Sequence, residues 1–282
     1  MSNFWSIYKN KEWLENFLLL SIGLFIVSAF LFLILLFIRR FQNIYNQKLI
    51  TEYSPIIDSI LFPLLFNNKS VHHVIESNDY QSSFKHKKFQ QTLLLGIIKL
   101  HIIYSGDNNL KLEEFYRKSG LIKISFAKLK SHSLSSKCEG IRELSQMNVQ
   151  KAFADIHKYI RHKNSTLKLE ALIGIIRLRG LEGLTVLIDY NEPINDWIQL
   201  NMLYEINNAN LATVKNFSEF LKSKNESVVI LGLRLIARFN QIENMDQVME
   251  IQNSNASYRI KNQTIRTLAK LPSLIIYNRA KN

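Results

Sequence analysis

Histidine and cysteine, the side chains that most often carry chemistry, are few in this chain and do not form a recognised site. Of the seven histidines, His157 and His162 are five residues apart, so they do not share a helical face as a zinc-binding i, i+4 pair does. His72 and His73 are adjacent in a polar stretch, where solvated or structural roles outweigh metal binding. There is also no glycine-rich phosphate loop and no G-x-S-x-G motif. The sequence therefore predicts no metal, no cofactor and no catalytic site, and we interpret the chain as a non-enzyme.

Cys138 is the only cysteine, which rules out an intrachain disulfide and a redox pair. It occupies an apolar position of a periodic helix, so we expect a small core residue and not a nucleophile.

Basic residues are the more informative set, because the formal net charge is +13 and the sequence pI is about 9.7. Such a balance suggests an acidic partner, nucleic acid or an anionic membrane surface, and a solvated basic surface is the simpler alternative. Eight cations lie on or just after the second helices of a repeat array and form the candidate partner-binding groove: Lys168, Arg177, Arg179, Arg234, Arg238, Arg259, Lys261 and Arg266. If these helices line one surface, their side chains form a positive groove.

Five further cations are candidate membrane-surface contacts: Arg39, Arg40, Lys85, Lys87 and Lys88. Each basic residue near an anionic headgroup layer contributes about 1 kcal/mol of attraction.

The elements that position these cations are predicted by apolar residues that recur at helical spacing with a period of 30 to 32 residues. The first register consists of Cys138/Ile141/Leu144, Leu169/Leu172/Ile175, Leu200/Leu203/Ile206, Ile230/Leu233/Ile236 and Asn262/Ile265/Leu268. The second register consists of Phe153/Ile156, Leu184/Leu187, Val214/Phe217 and Met245/Val248. Registers that keep one period indicate stacked helix pairs.

Two further sets of positions keep the same period. The capping positions are Ser133, Asn164, Asn195, Asn225 and Ser257, and such side chains accept hydrogen bonds from the first free amides of a helix. The small-residue register is Gly140, Ala171, Met202, Gly232 and Thr264, whose small members would let helices approach closely. These positions predict that each helix of the array begins at its capping residue.

A continuous apolar run from Phe17 to Ile38 predicts a membrane helix, since 22 residues at ~1.5 Å span roughly 33 Å. The run is too long for a signal peptide and lacks a small-residue cleavage site. Arg39 and Arg40 follow it directly, so the positive-inside rule places the C-terminal side in the cytoplasm of a bacterium, at the inner membrane. An aromatic belt of Trp5, Tyr8 and Trp13 would then lie on the outer side.

The predicted organisation has four parts. Residues 1–16 form an extracytoplasmic flank, 17–38 the transmembrane helix, 39–132 an irregular helical linker and capping region, and 133–282 the repeat array. Within the linker, a kink or break is expected near Pro63. A loop is expected from Asn67 to Ser83, and Gly120 is expected to precede a helix from Leu121 to Lys130.

The array resembles HEAT-type α-solenoid repeats, in particular the short-period subtype of phycobilisome-lyase-like proteins. Asparagine stands where those repeats carry an inter-helix aspartate, and the usual Val-Arg pair is replaced by Leu167-Lys168, Ile198-Gln199, Val228-Val229 and Ile260-Lys261. The resemblance covers Ser133 to Leu271 and implies an all-α, curved, right-handed stack of antiparallel helix pairs that binds on its concave side. It implies no activity, and the His-Glu dipeptides of the di-iron relatives do not occur in this chain.

Together these features favour a membrane-anchored α-solenoid scaffold or adaptor that binds a protein partner at the cytoplasmic face of the membrane. Location alone suggests envelope or polysaccharide assembly as its setting. A second hypothesis is a lyase-like or chaperone-like accessory that presents a small molecule. The third, binding of a phosphate backbone, is disfavoured by the membrane tether and by the lack of interleaved exposed aromatics, so nucleic acid is not the expected partner.

Overall fold

The computed structural model describes residues 2–67, 69–208 and 216–271, which form helices and contain no strand, so the all-α class is confirmed. Contacts divide the chain into two units, Met1–Leu93 and Leu94–Asn282. The side chains of Trp5 and Tyr8, residue Val214 and residues 272–282 carry predictions that lie outside the described part of the chain.

The α-helices, in chain order, are α1 (Ser2–Phe66), α2 (Val71–Ile75), α3 (Asn78–Ser83), α4 (Lys87–Ile103), α5 (Asp107–Lys118), α6 (Leu121–Lys130), α7 (Leu134–Gln146), α8 (Phe153–His157), α9 (Ser165–Arg179), α10 (Asp196–Asn208), α11 (Ser218–Leu221), α12 (Glu226–Arg238), α13 (Met245–Asn253) and α14 (Tyr258–Leu268). Short 3-10 segments lie at Gln150–Ala152, Gly180–Leu187 and Ile242–Asn244.

Helix α1 contains the apolar run, whose side chains are exposed except for the half-buried Ser21. It is the one helix in the described ranges that is long and apolar enough to cross a membrane. The helix continues through Pro55 and Pro63 and ends at Phe66, so no break occurs at Pro63 itself. A proline removes one backbone donor, and here the helix stops within a turn of the second proline.

In the first unit, the last part of α1 packs against α2 and α3. It buries Ile57, Ile60, Leu61, Leu64 and Leu65. The loop expected from Asn67 to Ser83 is wrong, because α2 and α3 lie there, each capped by a serine side chain. These helices bury Val71, Val74 and Tyr80, which are too few apolar side chains to give a periodic signal in the sequence.

In the second unit, the helix starts follow the sequence closely. Each of the five capping side chains accepts a backbone hydrogen bond, at Ser133, Asn164, Asn195, Asn225 and Ser257. Gly120 has φ of 87° and directly precedes α6, as predicted. The capping chemistry is local in sequence, so it could be read without knowing the packing.

Among the long helices of the second unit, α7 packs on α9, α9 on α10, and α12 on α14. Helices α10 and α12 are joined by side-chain hydrogen bonds of Gln199 and Arg234. Most of the long helices also pack on the shorter helix before them, α7 on α6, α9 on α8, α12 on α11 and α14 on α13. The first register is buried in α7, α9 and α12, but its prediction is wrong at Leu200 and Ile265, which are exposed.

The small-residue register is buried in all five helices that carry it, so it marks the face that each helix turns inward. At Gly140 an added Cβ would lie 2.5 Å from the backbone nitrogen of Leu129, and at Gly232 it would lie 2.5 Å from Cβ of Phe220. Both glycines are therefore required by close helix approach. In α14, Thr267 lies one turn after the register residue Thr264, and its hydroxyl donates to the carbonyl of Leu233 at 3.0 Å.

Candidate functional site

A concave surface of the second unit lies across α10, α12 and α14 and has a volume of about 760 Å³. We call it the α10–α14 groove. Its lining consists of Leu200, Leu203, Tyr204, Arg234, Ala237, Arg238, Gln263, Arg266, Ala269 and Lys270. The floor is therefore aliphatic with one aromatic ring, and the lining includes four basic residues and no acidic residue.

On the α10 side, the groove is lined by Leu200 and Leu203, which the first register assigns to the core. Gln199 is buried and donates from its amide nitrogen to the carbonyl oxygens of Ile194 at 3.1 Å and Ser227 at 3.0 Å. Since a buried amide must keep its partners, this face of α10 turns towards α12. Leu200 and Tyr204 are exposed, whereas α10 buries Ile198, Gln199 and Met202 together with Ile206, the one first-register residue of this helix that is fully buried.

One cation of the groove is fixed by the fold. Arg234 donates to Oδ1 of Asp196 at 2.7 Å and to Oε1 of Gln199 at 2.9 Å, and its side chain is mostly buried. Asp196 also pairs with Arg259, whose Nη2 lies 3.4 Å from Oδ2. The carboxylate that pairs with Arg234 is therefore shared by two arginines.

Three cations of the groove have no such partner. Arg238, Arg266 and Lys270 are exposed and form no ion pair or side-chain hydrogen bond within residues 2–67, 69–208 and 216–271. Arg238 lies in the last turn of α12 and Arg266 in the last turn of α14, where a cation faces the negative end of the helix dipole. These three side chains are available to an external anion.

The remaining members of the predicted partner-binding set lie outside the groove. Lys168 pairs with Glu192 at 2.5 Å, and this hydrogen bond is the main cause of the lowered pKa of Glu192. Arg177 forms a two-point ion pair with Glu205. Arg179 stacks over the Phe153 ring with its guanidinium carbon 4.7 Å from the centroid. Lys261 is half-buried on α14 and does not line the groove.

Sequence reasoning missed the apolar floor and Lys270. The apolar floor was missed because the first register assigned Leu200 and Leu203 to the buried core. Tyr204 lies one turn after Leu200, at i+4, and so shares its face of the helix. A partial signal was present in Trp197, Leu200 and Tyr204, which form a stripe at i, i+3 and i+7 on the face opposite the small-residue position. All three are exposed.

A second cluster of polar side chains lies between α6 and α7. Glu143 is buried, accepts a hydrogen bond from Ser125 at 2.7 Å and pairs with Lys128. Burial lowers the pKa of Lys128, but the hydrogen bonds and charges of Glu143 and Glu139 outweigh it and raise that pKa overall. Ser125 is fully buried, so this cluster stabilises the helix pair and gives a substrate no access.

Within the described residues, no group of three or more His, Cys, Asp or Glu side chains could hold a metal ion.

The predicted membrane-surface cations lie in the first unit and are all exposed. We call Arg39, Arg40, Lys85, Lys87 and Lys88 the basic collar. The ammonium of Lys88 donates to Oδ1 of Asn46 at 3.1 Å, which places the start of α4 beside α1. Asn46 is eight residues beyond Ile38, or roughly 12 Å along the helix axis. The cations from the two helices therefore lie near the C-terminal end of the apolar run.

Comparisons with protein-family models, with curated proteins and with solved structures found no match for this chain. The resemblance to HEAT repeats therefore remains a prediction from the sequence.

Proposed function

We propose that this chain is a membrane-tethered helical adaptor that binds a protein partner through the α10–α14 groove, and that it acts by binding and not by catalysis. The observation that carries this proposal is the exposed apolar floor of the groove beside three unpaired cations. Leu200 is 59% exposed in a helix whose opposite face is well packed, so its exposure is set by the fold. An apolar surface held open beside charged residues is typical of a protein-binding site.

The periodic contacts of the second unit support a solenoid-like arrangement as part of this proposal. Helix α7 packs on α9, α9 on α10 and α12 on α14, and the small-residue register is buried in all five of these helices. An array of this kind presents a surface made of several helices, and the α10–α14 groove draws its lining from three of them.

The apolar run of α1 supplies the tether in this proposal, with the second unit in the cytoplasm. Its apolar side chains are exposed, and lipid would cover them. The basic collar at its C-terminal end supports the proposed orientation. Fusion of a reporter phosphatase, active only outside the cytoplasm, to the C-terminus tests this, and strong phosphatase activity would reverse the assignment.

Site-specific photocrosslinking in intact cells tests the binding role. A photoreactive amino acid replaces Leu200 in the full-length chain, and the same residue replaces Leu110 as the control. The control is matched because Leu110 is 60% exposed on α5 of the same unit and lines no part of the groove. We expect a discrete protein adduct from position 200 alone. Equal adducts at both positions, or none at either, would contradict the proposal.

A further inference from the structure

The net charge of the α10–α14 groove remains positive after the helix dipoles are counted. Arg238, Arg266 and Lys270 carry three positive charges near the C-terminal ends of α12 and α14. Each helix end carries about half a negative charge, so two ends offset about one of the three. A net charge of roughly +2 is left at the rim of an apolar floor.

The segments of the second unit outside the described residues supply no acidic side chain. Residues 209–215 and 272–282 contain no aspartate or glutamate, and they add Lys215, Arg279 and Lys281. Asp196, the carboxylate that pairs with Arg234, is already shared with Arg259. The three exposed cations are therefore free to pair with carboxylates of another molecule.

The lining favours a peptide over the other anionic macromolecules. Leu200, Leu203 and two alanines make the floor aliphatic, whereas single-stranded nucleic acid is bound by aromatic platforms, and this groove offers one ring, Tyr204. A bilayer surface is flat, whereas this site is recessed across three helices. An amphipathic helix presents apolar side chains at i, i+3, i+4 and i+7 with charged flanks, which matches an apolar floor with a basic rim.

We propose that the α10–α14 groove binds an acidic, amphipathic segment of the partner protein. Its apolar side chains contact Leu200, Leu203 and Tyr204, and its carboxylates pair with Arg238, Arg266 and Lys270. This inference rests on the proposed function and adds the chemistry of the partner to it.

The test uses the full-length chain in nanodiscs of zwitterionic lipid and a fluorescent Leu/Glu peptide of about 18 residues, or five helical turns. Leucines occupy i, i+3, i+4 and i+7 of the peptide, and glutamates occupy the flanks. Fluorescence anisotropy gives its Kd. We expect the all-glutamine version to bind about tenfold more weakly, and 1 M salt to have a similar effect. A version with serine in place of leucine should also lose binding.

Variants locate the binding to the groove. R238E/R266E should weaken the Leu/Glu peptide by about tenfold or more and should bind a Leu/Lys peptide better than the wild type does. The matched control is K123E/K130E, which reverses two exposed cations on α6 that also lack a described partner. This control should leave the Kd unchanged. Because gain of Leu/Lys binding cannot come from misfolding, the swapped peptide separates recognition from stability.

Each alternative occupant has an outcome that overturns the inference. Equal Kd for the glutamate and glutamine peptides would refute the acidic preference, and a crosslinked partner at position 200 would still uphold the proposed function. Displacement of the peptide by a single-stranded oligonucleotide or by phosphatidylglycerol vesicles, dependent on Arg238 and Arg266, would make that molecule the ligand. Tenfold tighter binding after deletion of residues 272–282 would make the chain's own tail the occupant. Absence of both peptide binding and crosslinks would refute both proposals.

Discussion

Arg177 and Glu205 join α9 to α10 through two parallel hydrogen bonds. Nε of Arg177 lies 2.6 Å from Oε1 of Glu205, and one terminal nitrogen lies 3.1 Å from Oε2. Each side chain is only about one-fifth exposed. A cation that the sequence assigns to a binding surface therefore holds two helices together.

Breaking this pair should destabilise the chain more than breaking a surface pair does. A double-mutant cycle of Arg177→Ala and Glu205→Ala should give a coupling free energy of about 1–2 kcal/mol, because partly buried two-point pairs are little screened by water. The same cycle on Lys118 and Glu114, an exposed i, i+4 pair, should give about 0.3 kcal/mol. Chemical denaturation of the four variants measures both values, and equal coupling energies would contradict the buried role.

The close approach of α6 and α7 predicts that Gly140→Ala destabilises the chain by about 2–3 kcal/mol, since the new methyl group meets backbone atoms that cannot move independently. Gly174→Ala is the matched control. There the nearest atom is Cγ2 of Ile141 at 3.0 Å, and alanine gains about 1 kcal/mol in helix propensity. Thermal unfolding should show a large loss for the first variant and little change for the second. Similar melting temperatures for both would argue against the tight helix contact.

The two kinds of leucine in the first register should respond in opposite ways. Leu233→Ala removes a fully buried side chain and should cost about 2–5 kcal/mol of stability. Leu200→Ala removes an exposed side chain and should change stability by less than about 0.5 kcal/mol. Binding of the Leu/Glu peptide should show the reverse order of sensitivity for the folded variants. A large stability loss at Leu200 would mean that this side chain is packed and that the groove is misplaced.

These contrasts show what the sequence could and could not predict. The starts of the five array helices were predictable because each depends on one capping side chain and an amide two or three residues later. The exposure of Leu200 was not, because it depends on long-range packing of α10, which includes the hydrogen bond between Gln199 and the carbonyl of Ser227, 28 residues away. Period alone assigned Leu200 to the core, whereas the structure buries its neighbour Gln199 and exposes Leu200.

The cations show the same division. Arg238 and Arg266 were found from their position on the second helices, and the structure brings them together in one groove. Lys168 and Arg177 were found from the same kind of position on a second helix, but they pair with Glu192 and Glu205. These carboxylates lie 24 and 28 residues later in the chain. Spacing predicts the face of a helix, but it does not predict which carboxylate reaches that face.

Cys138 should be slow to react at neutral pH. Burial is the main cause that raises the pKa of its thiol above the usual 9.0, so the reactive thiolate is scarcer than in a free cysteine. The alkylation rate with iodoacetamide should therefore keep rising with pH beyond 9, where that of a free thiol levels off. Mass spectrometry of the native and the denatured chain measures the rates. Equally fast alkylation of both at pH 7 would show that Cys138 is accessible.

The basic collar should respond to the charge of the surrounding lipid. In nanodiscs that contain phosphatidylglycerol, acetylation of Lys85 and Lys87 should be about fivefold slower than in zwitterionic nanodiscs, since about 1 kcal/mol of attraction holds each near the surface. High salt should restore the rate, because it screens exposed charges. Quantitative mass spectrometry of the acetylated peptides gives the ratio. Equal rates in both lipids would place these lysines away from the membrane.

The continuity of α1 has a mechanical consequence. Between Ile38 and Tyr53 the helix contains neither proline nor glycine. Within that stretch Asn46 accepts a hydrogen bond from Lys88. The rings of Tyr53 and Phe89 form an edge-to-face contact with their centroids 5.5 Å apart. A helix without a flexible joint transmits torque, so any turn of the apolar run about its axis must carry both contacts around with it. We therefore expect the contacts of α1 with Lys88 and Phe89 to move together with any rotation of the apolar segment.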